Sequence, residues 1–254
     1  MAMMMTSRSP WLPYPRREGR SVGARLFCLP HAGAGASAFR QWVRMTGTAE
    51  VEVRPIQPPG RETRRADAHY GDIAELIPDL AEALLPELDV PYAIFGNSVG
   101  AVLAFELAQR LENGAQRAPS RLIVAASASP RHAGSLLPSI DRLSDSELVE
   151  LLAHRFQGIP AVLLDSPQLL AEFTPVMRRD LEAVQRYRAP ELPALSCPVT
   201  AFVGEDDVIP RAFVDEWRAV TTGSFELFSV PGGHFAPLGH GHRVIDLTMR
   251  MAEI

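Results

Sequence analysis

The sequence predicts an α/β fold, a mostly parallel central sheet with helices on both faces. Three observations carry that expectation. Short apolar runs alternate with longer amphipathic ones along the chain, the rhythm of strand and helix in succession. The strand-like runs are continuously apolar more often than alternating, as when both faces of a sheet are covered. No internal repeat and no Gly/Ser linker divides the 254 residues, a length that suits one large domain.

In chain order, the first stretch is a leader over residues 1–22, rich in Met, Arg and Pro. It is expected to be disordered or loosely docked, with Trp11 the residue that could dock. A single domain follows over 23–254. Its strands are read at Arg25–Leu29, Val51–Ile56, Tyr92–Phe95, Leu122–Ala126, Val199–Val203 and Phe225–Val230. Helical periodicity occupies Gly71–Leu85, Val99–Leu111, Arg211–Ala219 and Gly241–Met251.

One interval breaks the rhythm. Between the strands ending near Ala128 and beginning near Cys197 lie about 70 residues, where a whole βαβ unit needs about 30. The surplus, about residues 131–190, carries its own helix starts. Ser144-Asp145-Ser146-Glu147 is a capping box, and Ser166-Pro167 and Thr174-Pro175 each set a capping side chain before a proline. Val176, Met177, Leu181, Val184 and Tyr187 share one helix face. An inserted helical lid over the end of the sheet accounts for this segment.

Composition excludes several classes. Hydrophobic residues at 46% and charged residues at 22% describe a folded globular chain rather than a disordered one. Twenty-five basic against thirty acidic side chains leave a net charge of −5, with no global pull toward nucleic acid or anionic lipid. Every basic residue is Arg, a bias of GC-rich coding rather than of chemistry. Cys28 and Cys197 sit in apolar runs and read as buried thiols, too few for a disulfide framework or a cysteine zinc site. No run approaches a membrane span, and the leader lacks the apolar core of a signal peptide. A cytoplasmic protein is expected, and a monomer, because no long apolar surface stripe demands a partner.

The chemistry begins at Phe95-Gly96-Asn97-Ser98-Val99-Gly100, a G-x-S-x-G pattern between an apolar strand and an apolar helix. A serine held on so sharp a turn stands clear of the sheet, and glycines flank it because larger side chains would clash. Its hydroxyl needs a base. Of seven histidines, His234 has the right setting, following a strand through Pro231-Gly232-Gly233. An orienting acid is expected in Gly204-Glu205-Asp206-Asp207, directly after the strand Val199–Val203; Asp207 is preferred and Asp206 is its rival. The order Ser98, Asp207, His234 is that of an α/β-hydrolase. Backbone N–H groups of Ala32, in the loop Pro30–Gly35, and of Val99 are the expected oxyanion donors, typically worth about 3–4 kcal/mol each.

These residues together resemble the type II (editing) thioesterases of bacterial polyketide and nonribosomal peptide biosynthesis, members of the α/β-hydrolase superfamily. The likeness runs through Leu26–Gly33, Pro58-Pro59-Gly60-Arg61-Glu62-Thr63-Arg64, the serine turn, Arg178-Arg179-Asp180-Leu181 ahead of Tyr187, and Gly232-Gly233-His234-Phe235. It covers nearly the whole chain from Trp11 onward. Two departures stand out: the family commonly has His where this chain has Asn97, and often reads L-P-G where this chain has Pro58-Pro59-Gly60.

The resemblance implies hydrolysis of acyl thioesters on the phosphopantetheine arm of an acyl or peptidyl carrier protein, in antibiotic or secondary-metabolite biosynthesis. Aberrant or stalled acyl groups would be removed, or acyl chains released, with no metal or redox cofactor. Phe156, Met177 and Leu181 are candidates for lining an acyl chamber, and Arg61, Arg64, Arg178 and Arg179 for a basic rim that meets the carrier. Two other functions use the same residues: a general acyl-CoA or ester hydrolase or acyltransferase of this fold, and a non-catalytic carrier-binding module.

Overall fold

The computed structural model describes residues 9–16, 22–46, 50–115, 117–156, 159, 164–189 and 195–250. Six strands, β1 (Ala24–Leu29), β2 (Val51–Pro55), β3 (Tyr92–Asn97), β4 (Arg121–Ala125), β5 (Val199–Gly204) and β6 (Phe225–Val230), form one sheet in the order β2-β1-β3-β4-β5-β6. Every neighbouring pair is parallel. The continuous apolar runs have the cause expected of them. Along β1, Phe27 and Leu29 enter one core while Leu26 and Cys28 enter the other, and β3 divides Ile94 from Phe95 in the same way. Period-two side chains thus feed two cores, each closed by helices.

One core is covered by α1 (Arg40–Met45) and α2 (Gly241–Met249), through Trp42, Val244 and Ile245. The other is covered by α3 (Ile73–Leu84) and α4 (Val99–Ala115). Asp72 caps α3 by accepting the Ala74 N–H at 3.1 Å. The helix α5 (Arg211–Asp215) continues as a tighter turn over Glu216–Val220, placing fully buried Trp217 in the second core. Strand order reverses between β1 and β3, and a crevice opens beyond the carboxyl ends of the strands at such a reversal.

Between β4 and β5 lie α6 (Asp145–Phe156) and α7 (Pro167–Arg186). The capping box at the start of α6 is formed: Ser144 N–H donates to Glu147 Oε2 at 2.8 Å, and Glu147 N–H donates to Ser144 Oγ at 3.3 Å. Ser166 caps α7. Thr174-Pro175 does not begin a helix; Pro175 lies inside the single helix α7. Proline there forgoes one backbone bond. Thr174 turns its hydroxyl back to the Leu170 carbonyl at 2.7 Å rather than capping.

The described part of the leader, residues 9–16, lies against the domain rather than apart from it. Trp11 and Leu12 are buried in the second core, and Gln57 N–H donates to the Trp11 carbonyl at 2.8 Å. Residues 1–8 and 17–21 lie outside the described residues. No described helix is long and apolar enough to cross a membrane.

Candidate active site

Ser98 sits between the end of β3 and the start of α4 with φ of +55°, the left-handed region that a serine seldom enters. Its N–H donates to the Ala125 carbonyl at 2.8 Å, tying the bend to β4. Both flanking glycines have a steric reason. A methyl on Gly96 would run into the Gly100 carbonyl, and one on Gly100 into the Leu29 and Pro30 carbonyls. The turn therefore projects the Ser98 hydroxyl past the sheet edge from a backbone that only these neighbours permit.

His234 Nε2 stands 3.2 Å from Ser98 Oγ, and His234 Nδ1 stands 3.1 Å from each oxygen of Asp207. The loops that bring them together pack backbone to backbone. A side chain on Gly204 would strike the Gly232 and Gly233 carbonyls, and Asp206 N–H donates to the Gly232 carbonyl at 3.0 Å. Asp207 then turns inward, its side chain fully buried and one oxygen also accepting the Ile209 N–H at 3.2 Å. Asp206, its rival, is exposed. The rings of Phe156 and Phe235 meet His234 edge to face at 5.0 and 5.1 Å, closing the imidazole off from bulk water.

Ala32 and Val99 line the same cavity as Ser98 and His234. Among the described residues neither backbone N–H is donated to another protein group, so both are free to meet a developing oxyanion. His31 lies beside them with its ring against Phe235. Burial, and the neighbouring His234, push its pKa down to about 4, which leaves it neutral at pH 7.

The cavity measures about 110 Å³ and extends from Ser98 to side chains of α6 and α7. Phe156, Met177 and Leu181 line it, together with Leu136, Leu152 and Val184. Its charged or titratable lining groups, among the described residues, are His31, His132 and His234. Among the described residues, no cluster of His, Cys, Asp or Glu could hold a metal ion.

The basic rim is largely absent. Arg61 is buried and paired with Asp180, so it offers no charge to a partner. Arg64 bonds Asp67 and lies 4.3 Å over the Trp11 ring. Arg178 bonds Asp145 and the Ile140 carbonyl. Only Arg179 of the four is exposed.

The reading of separate residues missed a buried polar cluster. Asp180, 1% exposed, accepts from Arg61 Nη2 at 2.7 Å, from Tyr70 Oη at 2.9 Å and from the Gly33 N–H at 2.8 Å. The signal was available: an acid inside the apolar stripe of Met177, Leu181 and Val184, at a position helical periodicity assigns to the core. Asn97, beside the serine, is fully buried, and among the described residues neither atom of its amide has a hydrogen-bond partner.

A model of the thioesterase domain matches residues 24–250. The gramicidin S biosynthesis protein GrsT of Aneurinibacillus migulanus is 31% identical over 234 residues, covering 91% of this chain and 89% of its own. Among solved structures, RedJ, a thioesterase of the prodiginine pathway in Streptomyces coelicolor, superposes with a TM-score of 0.81 at 34% identity, over 98% of this chain and 99% of its own. The type II thioesterase BorB of the borrelidin biosynthetic cluster superposes with a TM-score of 0.81 at 30% identity, over 97% of this chain and 99% of its own.

Proposed function

The chain belongs to the thioesterase domain family, and from that premise we propose that it hydrolyses acyl thioesters carried on the phosphopantetheine arm of an acyl or peptidyl carrier protein. The observation that carries this reading is the continuous Ser98–His234–Asp207 contact opening onto an apolar cavity under the lid. Relatives from the gramicidin S, prodiginine and borrelidin systems support an assembly-line setting.

In the proposed reaction Ser98 Oγ attacks the thioester carbonyl while His234 Nε2 takes its proton. Asp207 holds the proton of Nδ1 and favours the imidazolium that forms. The oxyanion accepts the N–H groups of Ala32 and Val99. As the tetrahedral centre collapses, the C–S bond breaks and the thiol leaves with the proton from His234. Water, deprotonated in turn by His234, then attacks the acyl-serine and releases the free acid and Ser98. His31, neutral beside His234, adds no positive charge to oppose the imidazolium.

An uncharged acyl chain suits the cavity, whose walls are mainly aliphatic and aromatic. The test offers a panel of acyl groups on a carrier protein and on a small thiol, with wild type and Ser98→Ala side by side. Faster, Ser98-dependent release from the carrier is the expected result. Equal rates on both would reassign the protein as a general acyl hydrolase, and release by neither would overturn the thioesterase reading.

A further inference from the structure

The lid helix α7 and the loop after β1 meet at Gly33. The Gly33 N–H donates to Asp180 Oδ2 at 2.8 Å, while Phe173 and Met177 lie so close that a methyl on Gly33 would meet both. The same carboxylate binds Arg61 and Tyr70. Arg61 reaches past it to the Ala34 carbonyl at 3.2 Å and the Pro59 carbonyl at 3.1 Å. One buried acid on the lid therefore grips the loop directly at Gly33 and indirectly at Ala34.

The loop it grips is a four-residue turn. Ala34 N–H donates to the His31 carbonyl at 3.1 Å, and Gly33 has φ of +76°. That angle belongs to the third residue of a type II turn; in the type I form the central peptide points the opposite way. The N–H of that central peptide is the one Asp180 accepts. A flip would carry it away from the carboxylate and turn the Ala32 carbonyl toward Asp180 instead, so the bond fixes the turn whose second residue carries the Ala32 N–H.

We propose that Asp180 is a positioning residue for the oxyanion site. By accepting the Gly33 N–H it holds the turn in which Ala32 N–H faces the reacting carbonyl, so the site is complete only when the lid helix is seated. The proposal rests on the thioesterase reading, in which Ala32 N–H is one of the two donors. A purely structural role for the Arg61–Asp180 pair makes a different prediction: with both buried charges removed together, the molecules that fold should turn over at the wild-type rate.

The test uses the full chain, with Asp180→Asn and the apolar pair Asp180→Leu with Arg61→Met. The Asn variant keeps the shape but offers an amide donor where the carboxylate accepts on both sides. Rates on a small-thiol acyl thioester are expressed per Ser98 titrated to completion with a fluorophosphonate. Affinity is also measured for an alkyl trifluoromethyl ketone, whose adduct with Ser98 places an oxyanion in the site. Asp180→Asn is expected to lower kcat about 10- to 100-fold, less than outright loss of a donor. KM should stay within about twofold, and the ketone should bind more weakly by the same factor as kcat/KM falls. The apolar pair should keep the low kcat per titrated Ser98, and its melting point should fall, because the buried Tyr70 hydroxyl and Gly33 N–H lose their acceptor. A folded variant with wild-type kcat, a loss confined to KM, or kcat recovered by the apolar pair would each overturn the proposal. Wild type lacking Ser98-dependent release would instead overturn the thioesterase reading.

Discussion

His234 Nδ1 lies 3.1 Å from both oxygens of Asp207, while Asp206, one residue earlier, is exposed. Two adjacent acids leave an extended turn in different directions, and only one can face the imidazole. Asp207→Asn is expected to lower kcat about 10⁴-fold, by favouring the tautomer that cannot accept the Ser98 proton. Asp206→Asn should stay within about twofold of wild type, as for a surface substitution. Steady-state kinetics on one thioester substrate decide between them; equal losses would refute the assignment.

The His31 ring gives the fold a pH dependence. Its pKa is about 4 in the folded chain, from burial first and His234 second, against 6.5 when free. A histidine whose folded pKa is depressed resists protonation in the native state. The unfolded chain therefore gains protons first, and stability falls as pH drops from 6.5 through about 4. At about 1.4 kcal/mol per pKa unit, the group accounts for at most about 3.5 kcal/mol. Denaturant melts of wild type and His31→Asn should diverge over that window and run parallel above it. Parallel curves throughout would remove His31 as the cause.

Much of the fold was legible because a sheet buried on both faces writes itself as unbroken apolar runs. The inner strands β1, β3, β4 and β5 fall in such runs, while the edge strands β2 and β6 interleave Glu52, Arg54, Glu226 and Ser229 with apolar residues. Turns were legible where glycine is sterically compelled, as at Gly96 and Gly100. Less legible were features that depend on what a segment packs against. Thr174-Pro175 has the composition of a helix start, but α7 already runs through it and the burial of Met177 and Leu181 outweighs the lost bond. Arg61 reads as a surface charge until the lid brings Asp180 against it, and no spacing joins residues 119 positions apart.

Asn97 is a polar side chain, 0% exposed, whose two amide atoms find no partner among the described residues. An unsatisfied buried polar group costs about 1–3 kcal/mol, and an apolar replacement of similar shape removes that cost. Asn97→Leu is therefore expected to raise the melting temperature. A marked fall would show that the amide has a partner that matters.

Tyr187, at the end of α7, donates its hydroxyl to Glu106 Oε1 of α4 at 2.5 Å. Burial raises the Glu106 carboxyl above its usual range, and the tyrosine bond partly restores it. Without that donor a half-buried carboxylate stands alone. Tyr187→Phe should cost about 1.5–3 kcal/mol at pH 7, the worth of a hydrogen bond to a charged group. The loss should shrink as pH falls and Glu106 takes up a proton, because the neutral acid no longer needs the donor. Urea melts at pH 7 and pH 4 test this; an equal loss at both would mean that packing of the ring, not the hydroxyl, holds the lid's end.

The cavity itself should act as a ruler. Val184 projects from α7 into its wall, 6% exposed, beside Leu181 and Met177. Each methylene that leaves water for this space contributes about 0.8 kcal/mol, or about fourfold in kcat/KM. On a homologous series of acyl thioesters of one thiol, kcat/KM should climb by that factor per carbon and then level where the cavity is full. Val184→Phe adds a ring to the wall. The break should move to shorter chains, while acetyl keeps its rate. A uniform fall across the series would mean the new ring disturbs the lid as a whole. An unchanged profile would mean the acyl chain follows another path from Ser98.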